Sequence, residues 1–192
     1  MTVDATSTAK TALRRRLRAT RRHRLPERDI EAEARALADQ VTALVEERTH
    51  GRVCRVAAYE SLPTEPPTHL LVDRLTAAGY EVVVGVTLPD LDLDWRVIGT
   101  PTALGLGAIH DAPVIVAPAL AVDRTGNRLG QGGGSYDRAL ARRHSEALIV
   151  VLLHDDELLP ADAVPVDAHD IAVDVVVTAS GRLVRLDQPD DP

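Results

Sequence analysis

Apolar residues recur three or four positions apart through Ile30, Ala34, Leu37, Val41, Leu44 and Val45. That spacing gathers them on one face of an amphipathic helix, and Gly51 fits a C-cap. Residues 10–24 read as an earlier helix with Leu13 and Leu17 one turn apart. Leu25-Pro26 interrupts it, because proline cannot continue the hydrogen-bond ladder. Residues 1–9 are small and polar and read as a disordered start. Beyond Gly51 the pattern changes to short continuous apolar runs. These predict strands over residues 53–59, 81–88, 114–117, 147–153 and 173–178, with a shorter one over 95–98. Helices are predicted over 70–78, ending at Gly79, over 135–143, and briefly at "DDELL". "SLPTEPPT" is a loop, since its prolines break any regular ladder.

Strands and helices thus alternate, and the central strands are apolar on both faces. That pattern implies an α/β fold: three layers, Rossmann-like, with a mostly parallel central sheet covered by helices on both faces. The whole chain, 1–192, reads as one domain. In such a fold, ligands collect beyond the C-terminal edge of the strands.

Composition sharpens the picture in three places. Phenylalanine is absent and aromatics are 2% of 192 residues, so the core must be built from Val, Leu, Ile and Ala. The net charge of −7 argues against general nucleic-acid or membrane binding. Yet eight of the 22 basic residues fall within residues 10–24, a local concentration of positive charge. The single cysteine, Cys54, excludes an internal disulfide and any CxxC metal site. No segment has the unbroken apolar length of a membrane span or a signal peptide, and a cytoplasmic location is expected.

The chemistry concentrates in "NRLGQGGGSYDR", residues 127–138. Glycine accepts positive φ and lets backbone N–H groups approach a ligand without obstruction. Successive N–H groups leading into a helix form an anion nest. Arg128 and Arg138 add charge, so the loop reads as a phosphate or carboxylate cradle. The same composition also suits a tight β-to-α turn with no ligand. No lysine completes a Walker A motif, GxGxxG is not satisfied, and Asp137 stands where a GxSxG elbow needs its last glycine.

The longer stretch "PALAVDRTGNRLGQGGGSYDRAL" resembles the signature of the 5-formyltetrahydrofolate cyclo-ligase family, also called 5,10-methenyltetrahydrofolate synthetases. The resemblance is collinear along the chain. "KTALRRRLRATRR" is similar to the family's N-terminal K-x-x-x-R helix, "ESLPTEPPT" to its E-x-x-T segment, and "VPVDAHDIAVDVVVT" to its ending. The resemblance implies an ATP- and Mg²⁺-dependent enzyme acting on 5-formyltetrahydrofolate, a monomer or weak homodimer with no nucleic-acid or membrane partner. A catalytically impaired folate or nucleotide binder of the same fold is the alternative.

The resemblance also assigns roles. Lys10 and Arg14 would contact the ATP phosphates from one helix face. Arg128, Leu129, Gly130, Gln131, Gly132, Gly133, Gly134, Ser135 and Tyr136 would form the rest of the ATP site. Glu65, Trp95 and Tyr136 would bind the folate, with Trp95 flanking the pterin. Asp137 and Asp170 would hold Mg²⁺, and Arg128, Tyr136 and Asp137 would carry the catalysis. The chain departs from the family pattern where aromatics are common, at Val122 and Ser135. It departs where cations are common, at Gln131 and Gly133. His154 and Glu157 stand where Phe and Gln are frequent.

Overall fold

The computed structural model describes residues 5–167 and 170–186. Seven strands form the central sheet: β1 (Arg55–Ala58), β2 (Glu81–Thr87), β3 (Leu93–Val97), β4 (Val114–Pro118), β7 (Leu148–Leu153), β9 (Val175–Thr178) and β10 (Leu183–Arg185). Their order is β10-β9-β7-β4-β1-β2-β3. The five inner strands run parallel, and both edges are closed by antiparallel neighbours. β10 lies beyond the last strand that the apolar runs predict. Only Leu183, Val184 and Leu186 mark it, too few for a period.

Alternation along the strands sorts the core into two sides. Val56, Ala58, Val114, Val116, Val150 and Leu152 face α2 (Ile30–Thr49) and α3 (His69–Ala77). Ala57, Ile115, Ala117, Ile149, Val151 and Leu153 face the opposite way. There they meet α4 (Ser135–Leu140), a 3₁₀ turn at Leu106–Asp111, and Trp95. The three layers therefore arise because each inner strand is apolar at consecutive positions. α2 opens on Asp29, whose carboxylate accepts from the Ala32 N–H at 3.0 Å. It closes through His50, in the left-handed region at φ 51°, and Gly51, whose N–H reaches Glu46 O at 3.0 Å.

A second, three-stranded sheet departs from expectation. β5 (Ala121–Asp123) pairs antiparallel with β6 (Arg128–Leu129) and parallel with β8 (Leu158–Leu159). The "DDELL" segment is therefore a turn at Asp155 and Asp156 leading into a two-residue strand, not a helix. Its two leucines are recruited by pairing with Val122 and Asp123, a tertiary contact that overrides local propensity. α1 (Ala5–Arg24) packs on this small sheet, with Leu13 and Leu17 against Leu120, Ala121, Leu129 and Val164. The helix starts five residues earlier than predicted, so residues 5–9, expected to be disordered, are helix, and residues 1–4 lie outside the described residues. A 3₁₀ turn over Leu25–Glu27 ends the run at the proline.

Asp123 fastens the β5–β6 turn. It is fully buried, and its carboxylate accepts from the amides of Thr125, Asn127 and Val164 and from the side chains of Thr125 and Asn127. Burial alone would raise its pKa, but these hydrogen bonds outweigh it and hold the value below the usual 3.8. The stabilisation is thus complete above the ordinary carboxylate range and is lost as pH falls through the depressed folded value. Asp123→Ala should cost about 2–4 kcal/mol in urea denaturation at neutral pH, since it strands several buried donors. The gap between variant and parent should narrow on acidification. A variant as stable as the parent at pH 7 would remove Asp123 from this role.

Candidate active site

A cleft of about 580 Å³ opens where β1, β2 and β4 end. Tyr59, Gly85, Thr87 and Pro118 bring the C-terminal strand ends to its floor. α1 supplies one wall, the glycine loop the second, and the proline-rich loop, with Leu62 and Glu65, the third. Docking of α1 on the small sheet is what brings its basic face to residues more than a hundred positions away.

The glycine loop is held by its carbonyls. Arg14 Nε donates to Gly130 O at 2.9 Å, and Arg18 donates to Gln131 through Nη2 to the main-chain O at 2.5 Å and Nε to Oε1 at 3.0 Å. Among the described residues, no amide N–H of residues 130–134 donates to a protein acceptor. The loop thus spends its acceptors on the protein and keeps five successive donors, the composition of an anion nest. Gly132 and Gly134 have φ of 104° and 69°, which explains glycine there on backbone grounds alone. Gly130 is required for a different reason. A Cβ at that position would lie 2.9 Å from Arg128 Nη1, so the guanidinium passes directly beneath the loop.

Arg128 is buried and central. Its Nη1 donates to Pro118 O at 3.1 Å, its Nη2 donates to Asp137, and its guanidinium lies 6.0 Å from the Tyr136 ring centroid. Burial pushes the Tyr136 phenol well above its usual pKa; Arg128 opposes the shift and Glu65 adds to it. Tyr136 is therefore neutral at physiological pH and offers a ring face and a hydroxyl, not a phenolate.

Opposite Arg128, Lys10 is 5% exposed, and its Nζ meets Asp167 at 2.6 Å and Asp170 at 2.5 Å. Burial would lower the Lys10 pKa, but the hydrogen bonds to the two aspartates prevail and raise it. Burial lowers that of Arg14, reinforced by the neighbouring Arg18 charge. Asp137, Asp167 and Asp170 all line the cleft within electrostatic reach of Arg14. Among the described residues no three His, Cys, Asp or Glu side chains converge as a ready metal cage. The donor set nevertheless suits a small hard cation, which takes one or two carboxylates and completes its shell with phosphate oxygens and water.

Glu65 is 6% exposed at the far end of the cleft. Its Oε2 accepts from the Leu62 amide at 3.0 Å and its Oε1 from Gln131 Nε2 at 3.3 Å, while Arg28 holds its main-chain O at 3.1 Å. Lys10, Arg14, Glu65, Arg128, Tyr136, Asp137, Asp170, Ser135 and the glycine-loop residues from Gly130 to Gly134 all border the same cavity.

Two assigned residues do not. Leu129 is buried against α1, because strand pairing of β6 turns its side chain into the small core. Trp95 is fully buried with its ring edge-on to Tyr136, centroids 6.5 Å apart at 89°. It backs the tyrosine rather than flanking a pterin directly, since β3 points it into the layer behind the sheet.

Two contributors, Arg18 and Asp167, escape sequence reading, and a third, Glu157, shows there only as a departure from the family pattern. Arg18 follows Lys10 and Arg14 by one further turn of the same helix face, a spacing that could have revealed it. Asp167 shares Lys10 with Asp170, three positions on. Glu157 forms a buried two-point pair with Arg21 at 2.7 and 2.8 Å and accepts from the His154 amide at 2.9 Å. His154 Nε2 in turn lies 3.1 Å from Thr64 O. The departures at 154 and 157 thus brace α1 and the proline-rich loop.

Comparison with known proteins points to one family. The model of the 5-formyltetrahydrofolate cyclo-ligase family matches residues 6–179. The 5-formyltetrahydrofolate cyclo-ligase of Mycolicibacterium smegmatis is 36% identical, over 93% of this chain and 97% of that protein. The Escherichia coli K12 enzyme of the same name is 30% identical over 65% of this chain and 78% of its own. Among solved structures, a 5,10-methenyltetrahydrofolate synthetase from Mycoplasma pneumoniae superposes with a TM-score of 0.70 at 18% identity, covering 87% of this chain and 96% of its own. The Aquifex aeolicus counterpart gives 0.68 at 24%, over 95% of each chain. At those identities the structures speak for the fold alone, but the family match spans the cleft from α1 to β9, and with it the chain belongs to the 5-formyltetrahydrofolate cyclo-ligase family.

Proposed function

We propose that this protein couples ATP hydrolysis to ring closure of 5-formyltetrahydrofolate in the cleft beside α1. The formyl oxygen attacks the γ-phosphorus and ADP leaves. N10 then attacks the activated carbon and gives up its proton, the C–O bond to phosphate breaks, and 5,10-methenyltetrahydrofolate is released with inorganic phosphate. The observation that carries this reading is the run of loop amides at residues 130–134, without protein acceptors among the described residues, in a loop that borders a cavity shared with Lys10, Arg14 and Arg128.

Phosphoryl transfer asks for positioning and charge neutralisation rather than an enzyme nucleophile. The loop amides and Arg14 hold the phosphates. Arg128, fixed by Pro118 O, stabilises charge spreading onto the transferred group. Asp137 and Asp170 would hold Mg²⁺, which would supply charge neutralisation at the phosphate oxygens. Glu65 accepts from the pterin's amino and ring N–H groups. Tyr136, backed by Trp95, gives the pterin a neutral aromatic face.

Purified protein incubated with 5-formyltetrahydrofolate and MgATP should develop the methenyl absorbance with matching ADP release. Binding of both ligands without product would replace this reading with a non-catalytic binder. In the same assay Asp137→Asn should lower kcat about tenfold, the scale of losing one ligand or orienting charge. Its stability should fall by less than that of Asp137→Ala, because the amide still offers Arg128 an acceptor oxygen although it no longer balances the charge of that buried guanidinium. Unchanged kcat would take Asp137 out of the reaction.

A further inference from the structure

Gln131 stands in the phosphate-binding loop, yet its side chain points to the other end of the cleft. Among the described residues, a single hydrogen bond joins the glycine loop to the loop that carries Glu65: Gln131 Nε2 to Glu65 Oε1, 3.3 Å. The orientation of the amide is fixed chemically. Arginine only donates and a carboxylate only accepts. Gln131 Oε1 must therefore face Arg18 Nε, 3.0 Å away, and its NH₂ must face Glu65.

The carboxylate is held in place. Its Oε2 accepts from the Leu62 amide within its own loop, and its backbone is tied through Leu62 O and Arg28. Oε1 is the oxygen that reaches across the cleft, and Gln131 is the donor that lies against it; a second donor could share that oxygen, but not from the direction Gln131 takes. An amide NH₂ presents to a carboxylate the same planar N–H donor as an exocyclic amino group on a heteroaromatic ring. Gln131 itself is exposed, so its bond competes with water and is readily displaced.

We infer that Gln131 is a latch: it stands in for the donor edge of the folate at Glu65, and substrate binding displaces it from Oε1, which frees the glycine loop from the folate side of the cleft. Gln131 is in this sense a positioning residue that ties occupancy of the folate subsite to the placement of the phosphate loop. The inference rests on Glu65 being the pterin's acceptor. By linkage, the nucleotide and folate affinities then depend on one another to the same factor in both directions.

The test is direct calorimetric titration of 5-formyltetrahydrofolate, without nucleotide and again with a non-hydrolysable ATP analogue. It is run on the parent, on Gln131→Ala and on Glu65→Gln. Gln131→Ala should bind folate alone about fivefold more tightly, the scale of one water-exposed hydrogen bond to a carboxylate. The dependence of folate affinity on the analogue should shrink in the same variant. A gain of affinity is not what structural damage produces. If Gln131→Ala binds folate alone no more tightly while Glu65→Gln loses about tenfold or more, the latch is overturned and the reading of Glu65 stands. If Glu65→Gln binds as the parent does, both fall together.

Discussion

Replacing Arg128 by alanine is expected to lower kcat for methenyltetrahydrofolate formation by about a thousandfold, within the range of losing a transition-state cation in phosphoryl transfer. Three functions meet in that one guanidinium. It carries the positive charge under Gly130, it orients Asp137, and it packs beside the Tyr136 ring. Alanine removes all three. Stability should also fall, toward the lower end of the ~3–5 kcal/mol cost of breaking a buried pair, because Asp137 keeps 23% of its side chain in water and can solvate its charge. Arg128→Lys separates the parts: it restores a charge but not the fork that spans Pro118 O and Asp137. The lysine variant should regain stability before it regains rate. Urea titration alongside steady-state kinetics measures both, and an alanine variant that turns over within tenfold of the parent would dismiss Arg128 from catalysis.

The second large effect belongs to Gly133→Val. Gly133 has no positive φ, and a Cβ there would meet only Ser135 Oγ, at 3.4 Å. The protein can therefore accept the side chain with little distortion. What cannot accept it is a phosphate resting on the loop amides. ATP affinity should drop about a hundredfold, equivalent to about 2.7 kcal/mol, while the melting temperature of the free protein stays within a degree or two of the parent, as for a surface change. Gly132 and Gly134 are poor substitutes for this experiment. Valine at either would suffer from the left-handed backbone before any ligand arrived. Equal ATP affinity in Gly133→Val and parent would place the nucleotide elsewhere.

How much of this was legible in advance depends on what each residue's neighbours are. The inner strands announce themselves, because a strand covered on both faces is apolar at every position and needs no partner to be recognised. The glycine loop announces itself for the same reason, since its demand is on the backbone. β8 does not: two leucines are too short for any period, and only their pairing with β5 makes them a strand. Trp95 illustrates a subtler limit. A lone tryptophan in a chain with so few aromatics invites a ligand role, yet the ring that meets the cavity is Tyr136 and the tryptophan stands behind it. Motif resemblance carries Lys10, Arg14, Glu65, Asp137 and Asp170 to one cleft. It cannot supply Asp167 or Arg18, whose roles exist only once α1 lies against the loop.

α1 has one more consequence. Its apolar hold on the body is small, chiefly the buried Leu17, worth about 1.5–3 kcal/mol, and the partly buried Leu13, worth less. The Arg21–Glu157 pair adds a fixed anchor at its far end. The near end carries Lys10, Arg14 and Arg18, and every strong contact it makes is with an ion or a carbonyl of the cleft. Half of the anion pocket is therefore hinged on a segment that the main hydrophobic layers scarcely grip. A triphosphate lying between α1 and residues 130–134 would act as the missing mortar, so that the wall of this binding chamber is completed by the guest it encloses.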